Sequence, residues 1–260
     1  ILPILVDPLI DRIGWRNVYM VFGLLVIFIL IPAVRYLVID TPEEIGQQKD
    51  NLSEQPKSMS AFELMDLKDF LKKSIFWVIS LAFAFQFLAM GGVLLHLPLH
   101  SENLGFLGSW SIFGFPIKQT VFAYSFAAFG GVVGKVLLGY LMDKLKPNIP
   151  VMLMMAMQSL GIFGLTLATD YSLFIVFCFV FGLGFGGAMP LMSASFLKAF
   201  GPQNLGSVRG ISALIIVPVQ PVGMVLVGRA FDLNLYIESF FLMGAITLIG
   251  FFIASRIIIR

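Results

Sequence analysis

The sequence predicts an all-α membrane protein, and three observations carry that. Hydrophobic residues make up 58% of the chain and charged residues 12%, where a soluble domain has about 45–50% and about 25%. Apolar stretches of about 20 residues, long enough to cross hydrocarbon as helices, recur along it. The charges collect between those stretches, as at Asp143-Lys144-Leu145-Lys146. A net charge of +2 is too small to signal nucleic-acid binding. The one cysteine, Cys178, lies in an apolar run and supplies neither a disulfide framework nor a thiolate metal site.

Taken in order, Ile1 to Ile10 is short and broken by Pro3, Asp7 and Pro8. It reads as the end of a span that starts upstream. Asp11 to Arg16 reads as a charged turn with an interfacial Trp15. Val18 to Ile39 is the first complete span, with Pro32 as a kink and Arg35 snorkelling at its far end. Asp40 to Ser58 is polar, without apolar periodicity, and reads as a linker. Ser60 to Lys73 alternates apolar and charged residues at helical spacing, which predicts a helix lying on the membrane surface. The remaining spans are Ile75–Pro98, Thr120–Met142, Pro150–Thr169, Ser172–Leu197, Val208–Val227 and Tyr236–Ile257. That makes seven complete spans and one stub.

Lysine and arginine set the expected orientation. With the linker in the cytoplasm, eleven of the 17 fall on that side, or twelve with Arg35. Arg12, Arg16, Lys118 and Arg229 fall on the other, and Lys135 lies within a span. The C-terminus is therefore expected inside, in a plasma or inner membrane. Glycines mark the expected helix contacts: Gly130, Gly131, Gly134 and Gly139 on one span, and Gly182, Gly184, Gly186 and Gly187 on another. Gly182 to Gly187 matches G-x-G-x-x-G, but it lies mid-span with no preceding strand, so it reads as packing.

Lys135 is the leading functional candidate. An ammonium in hydrocarbon costs roughly 2.5–3.5 kcal/mol on insertion scales and faces a protein interior or a wet cavity. It can bind an anion or move a proton, snorkel to the interface, or pair with a buried acid. No Asp or Glu lies mid-span elsewhere in the chain. Gln86 and Gln220 sit near the middle of their spans and either line a substrate path or bond across helices. Pro218 and Pro221 flank Gln220 and predict a bend there. His96 and His100 have metal-ligand spacing, but Pro98 lies between them and no third ligand is evident. No metal site is expected, and His96 is read as a cavity-mouth residue. Tyr124 and Ser193 are either cavity residues or packing groups. No motif signals enzyme chemistry or a cofactor.

Gly139-Tyr-Leu-Met-Asp143-Lys144 resembles the G-x-x-x-D-[RK] loop signature of the major facilitator superfamily. Gly14-Trp15-Arg16 resembles the turn before that family's sixth span. Phe200-Gly201-Pro202 through Arg209-Gly210 resembles its loop between spans ten and eleven, and Gly228 to Asp232 the end of span eleven. After Lys144 the sequence departs, with Lys146 where the family has glycine and Pro147 where a basic residue is common. The resemblance implies a partial facilitator fold: the end of span five, span six, and spans seven to twelve. Residues 1–39 would then end the N-terminal bundle, 40–73 form the central cytoplasmic loop, and 74–260 form the C-terminal six-helix bundle. It further implies alternating access, with spans seven, eight, ten and eleven lining a central cavity.

The run Gly130-Gly131-Val-Val-Gly134-Lys135 with Gly139 looks most like the monocarboxylate and oxalate/formate-type porters. There a basic residue at the Lys135 position helps bind a carboxylate. The implied partners are the lipid bilayer, the missing N-terminal bundle, and a small substrate such as a carboxylate with a coupled proton or counter-anion. Gly139, Asp143 and Lys144 are the implied gating loop. Some of those porters carry a second basic anchor inside span eleven. Here that interior has none, with Arg209 counted to the loop.

Overall fold

The structure is a computed structural model that describes residues 2–37, 64–112 and 115–257. The expected linker Asp40–Ser58 and the start of the expected surface helix lie outside the described residues. Among the described residues, seven helical segments are long and apolar enough to cross a membrane: Val6–Leu37, Ser74–Asn103, Gln119–Lys144, Asn148–Leu167, Tyr171–Phe200, Pro202–Asp232 and Tyr236–Ala254. The bounds differ from expectation by a few residues, except at the start of the chain.

There the helix α1 runs Leu2–Leu25 and continues through a π-helical stretch, Val26–Leu30, into α2, Ile31–Leu37. The expected six-residue turn at Asp11–Arg16 shrinks to one non-helical residue, Gly14, at φ 76° and ψ 152°. Glycine adopts that backbone without a Cβ penalty, so the break needs no longer loop. The stub is helical despite its prolines. Pro3 falls in the first turn, where a missing N–H has no helical partner to lose.

The described part of the expected surface helix is shorter than expected: it is one short helix, α3, Leu67–Lys72. Phe70 has no exposure and meets Phe200 edge-on at 5.5 Å. The Met65 backbone N–H donates to Asn204 Oδ1 at 3.0 Å. An aromatic this large gains more from a protein pocket than from lying at an interface. The segment is therefore docked on the end of the bundle.

The bundle proper comprises α4 (Ser74–Asn103), α5 (Gln119–Lys144), α6 (Asn148–Leu167), α7 (Tyr171–Gly186), α8 (Ala188–Phe200), α9 (Leu205–Asp232) and α10 (Tyr236–Ala254). Between α4 and α5 an antiparallel hairpin, β1 (Ser109–Ile112) and β2 (Phe115–Lys118), pairs Ser109 with Lys118 and Trp110 with Ile117. Sequence reading did not anticipate it, because two four-residue strands carry too little alternation to stand out. It marks one end of the bundle, the hairpin end. The ends of α5 and α8 and the start of α9 mark the other, the linker end.

One span, Tyr171–Phe200, is interrupted at Gly187, so α7 stops and α8 restarts. Pro190 explains this. It lacks the N–H that would bond the Gly186 carbonyl, and its ring crowds that same carbonyl. Pro218 and Pro221 act more mildly. The backbone of α9 stays helical through both.

The helices neighbour one another in the order α5, α7, α6, α10, α4, α9. Glycines set the two tightest crossings. A Cβ on Gly134 would collide with the Leu183 carbonyl, one on Gly182 with that of Ala127, and one on Gly186 with that of Gly131. Thus α5 and α7 meet backbone to backbone. At the second crossing, a Cβ on Gly223 of α9 would strike the Leu88 carbonyl of α4, and one on Gly92 would reach the Gly223 oxygen at 2.8 Å. Gly139 does not belong to the packing face: nothing lies within 4 Å of a Cβ built there.

Backbone cannot yield as a side chain can, so overpacking at the α5–α7 seat is expected to cost at least about 1–3 kcal/mol. Gly182→Val should lower the melting temperature of the purified protein, whereas Gly139→Ala should leave it unchanged or raise it, by up to about 1 kcal/mol of helix propensity. Equal melting of both variants would refute this account of the seat.

Candidate functional site

Two adjoining cavities open on one face of the bundle. The larger, about 660 Å³, runs along α9 from Pro202 and Arg209 to Gln220, with Phe87 of α4 and Met189 and Met192 of α8 opposite. The smaller, about 300 Å³, holds Lys135 of α5 between Phe87 and Met90 of α4 and the α7–α8 break at Gly186 and Ala188. Phe87 and Met189 belong to both walls, so they form the partition between the two spaces. No residue of α6 or α10 lines either cavity, and neither wall contains an Asp or Glu.

Local packing brings Lys135 to this face. Gly131 and Gly134 are buried against α7, and the lysine beside them is exposed. Among the described residues it has no ion-pair partner. Gln220 is half-buried at the mid-helix end of the larger cavity, and its backbone and Cγ press on Gly91.

The other midplane amide takes a different role. Gln86 has no exposure, and its Nε2 donates to Gln158 Oε1 on α6. Gln158 Nε2 returns a bond to the Gln86 carbonyl at 3.2 Å and reaches Thr247 Oγ1 of α10 at 3.5 Å. This ties α4, α6 and α10 together on the side away from the cavities. Of the two readings open for Gln86, the bond across helices is the one observed.

His96, Tyr124 and Ser193 line neither cavity. His96 stacks on Phe231 at 5.4 Å, and its Nδ1 lies 2.9 Å from the Gly92 carbonyl. His100 is buried, stacked on Phe240 at 4.2 Å, with Nε2 donating to the Leu165 carbonyl at 3.1 Å. The two histidines thus have separate partners and do not converge. Tyr124 packs against the core at the hairpin end. Ser193 Oγ donates to the Met189 carbonyl one turn back, at 3.0 Å.

At the linker end, Asp143 and Lys144 are exposed, and Lys144 Nζ sits 5.8 Å from the centre of the Tyr140 ring. A residue that sequence reading passed over holds this corner. Lys198 of α8 donates to the Met142 carbonyl in the last turn of α5, where the helix dipole favours a cation.

Arg209 was also missed as a site residue. Arg209, which the family resemblance counted to the loop, lies within α9 and on the wall of the larger cavity. The chain therefore does carry a basic residue on the cavity face of this span, near its linker end. The signal available in sequence was the Gly206-x-x-x-Gly210 spacing, which suits a helix as well as a loop.

Seven apolar helices among the described residues define a multi-pass membrane protein, and its two cavities are lined without an Asp or Glu. The sequence matches the Major Facilitator Superfamily over residues 1–224, and the chain belongs to that family of secondary transporters. No curated protein matches it.

The amide tie yields a stability prediction. Gln158→Leu leaves Gln86 buried without its partner and should destabilise by about 0.6–2 kcal/mol. Adding Gln86→Leu should recover part of that loss. Additive melting shifts in the double variant would show that the two amides are not coupled.

Proposed function

We propose that the chain supplies the C-terminal bundle, and the end of the N-terminal one, of a secondary transporter for small organic anions such as monocarboxylates. The observation that carries this reading is the exposed Lys135, without an ion-pair partner among the described residues, in a cavity whose wall contains no carboxylate. A cation with no acid beside it attracts an anion, and low-dielectric walls of Phe87, Met90 and Phe185 strengthen that attraction. Lysine is a point charge, so it would hold one carboxylate oxygen and lacks the fork that grips two.

In this reading the bundle rocks against its partner bundle around a midplane site. Residues 1–39 belong to the partner bundle, 40–73 to the central loop and 74–260 to the C-terminal bundle. The linker end faces the cytoplasm, following the lysine and arginine bias. Gln220 lines the path beside the site. Gly139, Asp143 and Lys144 act at the cytoplasmic gate, and a proton or counter-anion is the coupled species.

The test is uptake of radiolabelled formate, acetate, lactate and oxalate by the full-length protein in proteoliposomes. Lys135→Ala should abolish uptake of whichever anions the parent carries while leaving membrane abundance intact, and Lys135→Arg should retain part of it. Undiminished uptake by Lys135→Ala would remove the residue from the mechanism. A parent that carries none of the four would end the carboxylate reading.

A further inference from the structure

We infer that Lys118 is a two-position catch at the hairpin end. It holds α1 through Asp7 when that end is shut, and it moves to Glu102 of α4 when α1 swings away. The catch rests on the transport reading only for what the motion serves.

Lys118 ends β2 and leads directly into α5, and its Nζ lies 3.5 Å from Asp7 Oδ1 of α1. The Asp7 side chain is 21% exposed and that of Lys118 56%. The second carboxylate oxygen, Asp7 Oδ2, is buried without a partner, and Pro8 beside it is buried. A carboxylate this far out of water depends on its cation, because loss of the partner leaves the charge desolvated and alone. The pair therefore favours a docked α1, which packs on both β2 and α5. Beyond Val18 the segment to Leu37 is almost wholly exposed, so residues up to Val18 hold α1 to the described bundle.

The hairpin itself is fixed to the bundle. The Gly108 N–H donates to Gln119 Oε1 at 3.2 Å, and the Gln119 N–H donates to the Gly108 carbonyl at 2.9 Å. Tyr171 Oη of α7 donates to the Gln119 carbonyl at 2.7 Å. Trp110 of β1 meets Phe122 and Tyr171 edge-on, at 5.3 and 5.2 Å. Lys118 therefore rides on the α5–α7 pair, and its side chain crosses to α1.

A second carboxylate borders the same lysine. Glu102, in the last turn of α4, lines a pocket of about 60 Å³ together with Lys118 and Thr120. Glu102 is exposed and has no ion-pair partner among the described residues. The pocket has room for a few waters, and the flexible four-carbon stem of lysine lets Nζ turn from one acid to the other. Two carboxylates thus compete for one ammonium, and in this structure Asp7 holds it. The larger cavity reaches Pro202 and Leu205 at the linker end, and no residue of α1 or the hairpin lines either cavity. The shut end is the hairpin end. Transfer of Lys118 to Glu102 frees α5 from α1, and Lys135 lies seventeen positions, roughly 25 Å, along that helix.

The test reads the gap at the hairpin end directly. Full-length protein stripped of its other reactive thiols carries Ile13→Cys on α1 and Ser109→Cys on β1, both exposed positions, each with a nitroxide label. Pulsed electron–electron double resonance in nanodiscs gives the populations of a near and a far distance. Asp7→Asn should raise the far-to-near ratio roughly three- to fivefold, the range of a partly exposed ion pair. Glu102→Gln should lower it by a similar factor, and Asp7→Glu, which keeps the charge, should give the parent distribution. Both amides remove one negative charge from the same neighbourhood, so a general field effect moves the two ratios in the same direction, whereas a catch moves them apart. Shifts of the same sign, or no shift in one or both variants, would overturn the catch.

Lys118→Gln removes the ammonium from both acids. In that background Asp7→Asn and Glu102→Gln should each leave the ratio where it is, and a persisting shift would equally defeat the proposal. The distances need no substrate. If the parent carries none of the four carboxylates, the transport reading fails, and the ratios alone decide the catch.

Discussion

The seat of α5 on α7 is the contact on which the cavity face depends. Gly130, Gly134, Gly182 and Gly186 lack the Cβ atoms that would collide with the facing backbone. Lipid supplies no hydrophobic drive between helices, so close backbone approach and dispersion must hold the pair. The seat also fixes the rotation of α5 about its axis. With Gly134 turned into α7, Lys135 stands with Gly131 and Val132 on the wall of the smaller cavity. The same seat places Gly186 and the α7–α8 break opposite the lysine.

Polar groups are sorted across the bundle by how they can be satisfied. Neutral ones are spent on the far side, around α6. Gln158 bonds Gln86 and Thr247, Ser159 Oγ donates to the Gly244 carbonyl at 3.0 Å, and the Leu165 carbonyl accepts from His100. Each can be paired by one neighbour, so burial costs little. The charges of Lys135 and Arg209 find no such partner in the described bundle and stand at the open face. The back of the bundle thus holds neutral polar groups bonded from helix to helix, with Gln86 Oε1 and His100 Nδ1 left without a partner, while the front holds positive charge with no ion-pair partner among the described residues. The linker end is held together by contacts of a third kind. Phe70 against Phe200, Asn204 bonded to Met65, and Lys198 on the end of α5 join the incoming segment, α8 and the start of α9.

Much of the fold was legible because membrane spans are local statements. Length and hydropathy of about 20 residues decide them without knowledge of any partner. The Gly130–Gly134 and Gly182–Gly186 runs were legible as packing for the same reason. Gly91, Gly92 and Gly223 carry an equivalent crossing and could have been read in the same way. The hairpin and the docking of Phe70 were not legible, since both depend on surfaces formed by distant parts of the chain. Gly139 shows the converse: a glycine on a glycine-rich helix with no neighbour to make room for.

The candidate site divides along the same line. Sequence alone determined that Lys135, Gln86 and Gln220 lie at depth in the membrane, because depth follows from counting residues along a span. It could not distinguish their faces. Gln86 and Gln220 are the same residue type at similar depth, yet one is sealed against Gln158 and the other borders a cavity. Which way a helical residue points is set by rotation about the helix axis. That rotation is decided by where glycines let neighbouring backbones touch, and this is a property of pairs of helices.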